Sequence, residues 1–198
     1  MRRVAEMILL ALMMLVVIGA RGAANAQNQK DVTDAPAQLT SSARIAPEGE
    51  PGTALVISGR VVSEDGKTPL PGVIVYAYHT DTSGHYRNDG AEIREGSPRL
   101  RGWARTDSRG HFEFATIKPA PYPNRDVPAH IHLHAWGAGY PRQWFQVEFA
   151  GDPLLPKQHF TDNTAEFLYI IPLAEHAGVW RGAVELRMQR RSNFPAGQ

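Results

Sequence analysis

Cysteine is absent from the 198-residue chain, so no disulfide can staple the fold, thiolate chemistry is excluded, and any bound metal must be held by nitrogen or oxygen. An excess of charge of either sign is missing as well. With 21 Lys and Arg against 20 Asp and Glu the net charge is +1, too little to hold a polyanion, which removes nucleic acid as a partner class. The leading apolar run, Met7 to Ile18, has 12 residues, whereas a bilayer-spanning helix needs roughly 20. Nor does any window of similar length carry the period of an amphipathic helix.

What is present begins with a leader. Arg2 and Arg3 precede the apolar run, and Ala24-Asn25-Ala26 supplies the small residues that a signal peptidase reads. The sequence therefore predicts a signal peptide over 1–26 and export of the remainder, to the periplasm or beyond the cell. Removal takes away Arg2, Arg3, Arg21 and Glu6, leaving 18 basic and 19 acidic residues. Residues 27–52 are polar and small without sustained periodicity and read as an arm or linker, and 191–198 read as a C-terminal tail.

Between them, 53–190 read as an all-β domain, an antiparallel β-sandwich of the prealbumin-like kind with long loops forming a metal site at one end. Alternating runs at Ala54–Val62 and Val73–Tyr78 flank the turn cluster Ser63-Glu64-Asp65-Gly66-Lys67, which predicts a hairpin-like opening. Trp103–Thr106 and His111–Thr116 around Asp107-Ser108-Arg109-Gly110 predict a second hairpin. Ala129–Trp136, Gln143–Phe149 and Ala183–Met188 bring the set to at least seven strands. Two loops, Lys118–Pro123 and Gly151–Pro156, are stiffened by proline.

The densest chemistry lies in Pro128-Ala129-His130-Ile131-His132-Leu133-His134, where alternation puts three histidines on one strand face and Ile131 and Leu133 on the other. Such a face suits either a shared metal or plain solvent exposure. Tyr122, held between Pro121 and Pro123, is a rigidly placed phenol that either faces the histidines or caps the core. The four tryptophans and the remaining histidines read as structural.

With Ser83-Gly84-His85-Tyr86-Arg87, Arg101-Gly102, Thr106-Asp107 with Gly110, Phe112 to Pro119, Tyr122-Pro123, Pro128 to His132, and Gln146 with Phe149 to Leu154, the chain resembles the intradiol ring-cleavage dioxygenases. The resemblance runs from about Ser58 to Leu155 and implies a non-haem Fe(III) ion held by Tyr86, Tyr122, His130 and His132. Two tyrosinates suit a hard ferric ion, since coordination ionises a phenol far below its free pKa. The implied partners are a catechol-type aromatic and O2, with no membrane anchor once the leader is removed; a homo-oligomer is compatible with the sequence. Tyr122 is implied to be the displaceable axial ligand and base, opposite His132. The ring would be cut between its two hydroxyls to a muconate-type product.

The family arginine before Pro-Ala-His is Val127 here, so Arg125, two residues earlier, is the candidate for its catalytic role. Gln146 matches a family glutamine beside the substrate and oxygen pocket, or is a polar residue on an exposed strand face. Two other readings stand beside this one. Ser58–Tyr78 with Thr106–Phe114 also resembles non-catalytic transthyretin-like or carboxypeptidase regulatory-like modules, and His130, His132 and His134 by spacing alone could hold zinc in a hydrolase.

Overall fold

The structure, a computed structural model, describes residues 35–87, 98–124, 127–155 and 167–191. The expected leader, Arg125 and nearly all of the expected tail lie outside the described residues. Ten strands form among those described: β1 (Ser42–Arg44), β2 (Ala54–Ser63), β3 (Ile74–His79), β4 (Leu100–Arg105), β5 (His111–Ile117), β6 (His130–Gly137), β7 (Tyr140–Phe149), β8 (Leu168–Ile171), β9 (Ala174–His176) and β10 (Val179–Met188).

They make two five-stranded sheets, ordered β1-β5-β2-β10-β9 and β4-β3-β6-β7-β8. Period-two alternation decides what each strand buries. Leu55 and Ile57 of β2, Phe112 and Phe114 of β5, and Leu186 and Met188 of β10 come from the first sheet. They join Val75 of β3, Leu133 of β6, and Phe145 and Val147 of β7 in one contiguous core. The arrangement is all-β, as the alternation implied.

The expected antiparallel pairing holds only in part. β1 runs parallel to β5, β10 to β2 and β8 to β7. The β2–β10 ladder is long, from Trp180 opposite Leu55 to Met188 opposite Ser63. Alternation reports which face a residue occupies and is blind to the direction of a partner more than a hundred residues away.

Neither expected hairpin forms. β2 and β3 belong to different sheets, as do β4 and β5, so each turn carries the chain across the core. Thr106 secures one crossing point: its hydroxyl donates to the Leu70 carbonyl at 2.7 Å and accepts the Val73 N–H at 2.9 Å. The stretch read as an arm also differs from expectation, because Ser42–Arg44 is a strand and Ile45 and Ala46 are buried in the core.

Two buried polar side chains join the sheets. Gln143 on β7 donates to the Gln189 carbonyl at 2.7 Å and accepts the Gln189 N–H at 2.8 Å, acting as a backbone substitute at the end of β10. His79, on the core side of β3, donates from Nδ1 to the Thr80 carbonyl at 2.7 Å and accepts at Nε2 from the Thr116 hydroxyl of β5 at 2.6 Å. That pattern requires the neutral imidazole.

Burial holds the His79 pKa down to about 4 from an ordinary 6.5, against the opposing pull of the Thr80 carbonyl. An unfolded chain therefore takes up this proton first as pH falls. Stability that His79 contributes near neutrality should be lost between pH 6.5 and about 4, a loss of about 3 kcal/mol over that window. His79→Gln should make this part of the stability curve shallower when denaturant unfolding is compared at pH 7 and 4.5; parallel declines in both proteins would show that His79 does not carry the effect.

Candidate metal centre

Strand β6 must bury Ile131, Leu133 and Ala135, so His130, His132 and His134 are carried on the opposite face of the sheet. The loop after β3 brings Tyr86 to that face. It is shaped by Asp81, whose Oδ1 accepts the N–H of Ser83 at 2.8 Å, the N–H of His85 at 3.2 Å and the Ser83 hydroxyl at 2.6 Å. A short polar side chain closing the turn on its own backbone is the physical content of the Asp-Thr-Ser-Gly sequence here.

This loop lies directly on the proline-bracketed loop of Tyr122. Gly84 has φ +83, and a Cβ there would fall 2.3 Å from the Pro121 carbonyl oxygen. The Thr80 hydroxyl donates to the Ala120 carbonyl at 2.6 Å, and the Ala120 N–H donates to the Asp81 carbonyl at 3.2 Å. The two tyrosine loops are thus sewn together at their bases.

As a result four donor atoms close into a ring. Tyr86 Oη lies 2.6 Å from Tyr122 Oη, Tyr122 Oη 3.2 Å from His130 Nε2, His130 Nε2 3.1 Å from His132 Nε2, and His132 Nε2 3.0 Å from Tyr86 Oη. Nitrogen and oxygen ligands about 2.0–2.1 Å from one ion take up mutual spacings of this size. The set is nitrogen and oxygen alone, with two phenols that become anionic on coordination, which fits a hard trivalent cation. His130 is oriented for such a role: its Nδ1–H donates to the Pro128 carbonyl at 2.7 Å, leaving the Nε2 lone pair directed into the ring.

His132 is held by packing. Its ring stacks on Tyr78 with centroids 4.7 Å apart, and the Trp144 indole packs beside it, Nε1 3.4 Å from Nδ1. Burial pushes its pKa well below the ordinary imidazole value, and the neighbouring histidines push it further. Burial also lowers that of His130, against its bond to Pro128. Both imidazoles are therefore neutral near pH 7, the form that binds metal.

His134 goes elsewhere. Its Nδ1 meets the Arg142 guanidinium, and its ring stands edge-on to Tyr76 and Tyr78. Among the described residues no three of His, Cys, Asp and Glu gather to hold a metal, which removes the three-histidine zinc reading. Gln146 lies opposite His132 on β7 and donates its amide to Glu148 Oε1 at 2.8 Å. Glu148 lies opposite His130, and burial raises its pKa against that hydrogen bond. Val127 is half-buried just before Pro128.

Sequence reasoning singled out all four ring residues but missed their supports. Trp144 reads from sequence as a structural aromatic and Tyr78 only as the end of a strand, although each sits in register with a histidine of β6: Tyr78 with His132, Trp144 with His134. That register is a long-range property with no local signal.

Comparison with known proteins places this geometry in context. A family model described as Dioxygenase matches residues 29–179. The chain is 34% identical over 128 residues to the protocatechuate 3,4-dioxygenase beta chain of Burkholderia cepacia, covering 60% of this chain and 54% of that one. It is 31% identical over 131 residues to catechol 1,2-dioxygenase 2 of Acinetobacter lwoffii, covering 57% and 46%. The matched region thus spans about half the length of these relatives. Solved structures share the fold: the dioxygenase domain of a dioxygenase carbohydrate-binding protein fusion from Streptomyces sp. SirexAA-E (TM-score 0.60, 24% identity, 79% of this chain and 92% of that one) and catechol 1,2-dioxygenase from Acinetobacter sp. ADP1 (TM-score 0.59, 23% identity, 79% and 59%).

The contact at Gly84 yields a direct test. Gly84→Ala adds about 1–2 kcal/mol of backbone strain and drives the two tyrosine loops apart. Metal content measured after purification should fall steeply while the strand signal in circular dichroism persists. Full metal content in the variant would show that loop contact is not what brings the phenols together.

Proposed function

The chain belongs to the intradiol ring-cleavage dioxygenase family, and on that premise we propose that it is an exported, non-haem Fe(III)-dependent dioxygenase acting on a catechol-type aromatic. The ring is opened by O2 between its two hydroxyls, giving a muconate-type dicarboxylic acid. The observation that carries this reading is the closed contact of two phenol oxygens and two imidazole nitrogens at 2.6–3.2 Å.

Ferric iron, when bound, supplies a hard electron-withdrawing centre that draws density from a chelated catecholate and opens its ring to O2. Tyr86, His130 and His132 would hold that centre. Tyr122 would be the donor that leaves, as the family resemblance implies, its Oη taking the proton of one substrate hydroxyl. Gln146, in register with His132 and held by Glu148, orients substrate or oxygen on the same side of the sheet. A transthyretin-like module accounts for the strands but offers no reason for two phenols and two imidazoles to meet.

The test uses residues 27–198, with bound metal measured alongside the visible spectrum before and after anaerobic catechol, followed by oxygen uptake and product analysis. Stoichiometric iron, a red tyrosinate charge-transfer band that shifts with catechol, and muconate formation are expected. Tyr86→Phe and Tyr122→Phe should each weaken the band and slow ring cleavage by about 10²-fold or more. Zinc in place of iron, or a folded protein that stays colourless after iron loading, overturns the reading.

A further inference from the structure

Arg99 stands immediately before β4. Its backbone N–H donates to the Tyr86 carbonyl at 2.8 Å. Its guanidinium makes a two-pronged contact with Glu50, Nη1 to Oε2 at 2.6 Å and Nη2 to Oε1 at 2.8 Å, and Nη2 also lies 3.5 Å from Asp81 Oδ2. Asp81 is the residue whose other oxygen closes the Tyr86 loop. One arginine therefore touches both ends of that loop, the carbonyl of Tyr86 and the carboxylate of Asp81, and ties them to Glu50 in the N-terminal segment.

The geometry departs from that of an ordinary surface ion pair. The Glu50 side chain is only 9% exposed and that of Asp81 14%, and a planar fork on a carboxylate fixes direction as well as distance. Exposed pairs contribute little to stability, so the more telling property of this one is where it puts its partners. His130 and His132 are fixed by strand β6 and Tyr122 by two prolines, whereas the described residues carry Tyr86 on a loop anchored by Asp81 and Arg99.

We propose that Glu50 and Arg99 are positioning residues for the metal centre, setting the place of the Tyr86 phenol through the Asp81 loop. The N-terminal segment is in this way part of the machinery that holds the metal. The inference rests on the ferric reading of the Tyr86, Tyr122, His130 and His132 ring.

The experiment compares the iron-loaded full chain with Glu50→Gln and Arg99→Lys, each of which leaves the four donors intact but breaks the fork. Arg187→Ala, which breaks an exposed pair with Glu185 on β10 (3.4 Å), is the control. Three quantities are read: the tyrosinate charge-transfer band, the rate of iron release to a chelator, and the thermal midpoint of the metal-free chain. Glu50→Gln and Arg99→Lys should release iron about 10–100-fold faster, with a weaker and shifted band that Arg187→Ala does not show. The double variant should be little worse than either single one, because both remove the same contact.

An unchanged band and release rate in both variants overturns the proposal. A lowered metal-free midpoint with the band unaltered also overturns it, since the pair would then be structural only. A wild-type chain that never shows the band brings down the ferric reading itself, and this inference with it.

Discussion

Strand β6 has to satisfy two demands with one backbone. Ile131, Leu133 and Ala135 fill the space between the sheets, and only the alternate positions remain for His130, His132 and His134. A slip of one residue would turn three imidazoles into the space between the sheets and the aliphatic row out of it, so the hydrophobic core itself fixes which way the histidines face. The neighbouring strands then inherit their roles by register. Tyr78 of β3 and Gln146 of β7 both lie opposite His132, which makes the centre a product of sheet pairing before any loop is considered.

The loops contribute what a sheet cannot. Strand side chains stand side by side, whereas a cation needs donors converging from several directions. Tyr86 and Tyr122 arrive from two loops that meet at Gly84 and Pro121, where the absence of one Cβ lets the backbones touch. The Asp81 turn and the Thr80 and Asp81 bonds to Ala120 make the pair a single unit. Rigidity of the sheet and convergence of the loops together give the closed ring of four donor atoms.

Much of this could be read from local sequence, and the parts that could not share one physical cause. The His-x-His alternation and the proline bracket around Tyr122 are properties of a few consecutive residues, whereas Tyr86 and the choice of His130 with His132 enter only through the family resemblance. The partners of β2 and β10, the crossings that replace the two hairpins, the fork between Glu50 and Arg99 and the bond of His134 to Arg142 all depend on residues distant in the chain or on three-dimensional register. Nothing in the stretch 27–52 advertises that Ile45 and Ala46 enter the core or that Glu50 meets a guanidinium. Spacing alone gave His134 the same standing as its two neighbours, and only its position beside Arg142 separates them.

On the proposed ferric reading, charge explains why one of the two loop-borne phenols should be free to leave. His130 and His132 are held neutral by burial, so two tyrosinates would bring two negative charges to a ferric ion bound there. A catechol entering as a dianion adds two more. Where the family carries an arginine near this point, the chain has the half-buried, uncharged Val127. The surplus can still be relieved if one phenol leaves neutral, taking a substrate proton on its oxygen. Among the four ring residues, Tyr122 lies between two prolines outside the paired strands, where it can leave without breaking a ladder or the Asp81 turn that holds Tyr86. With no charge at Val127, Tyr122 would on the proposed ferric reading be the ring group that balances charge.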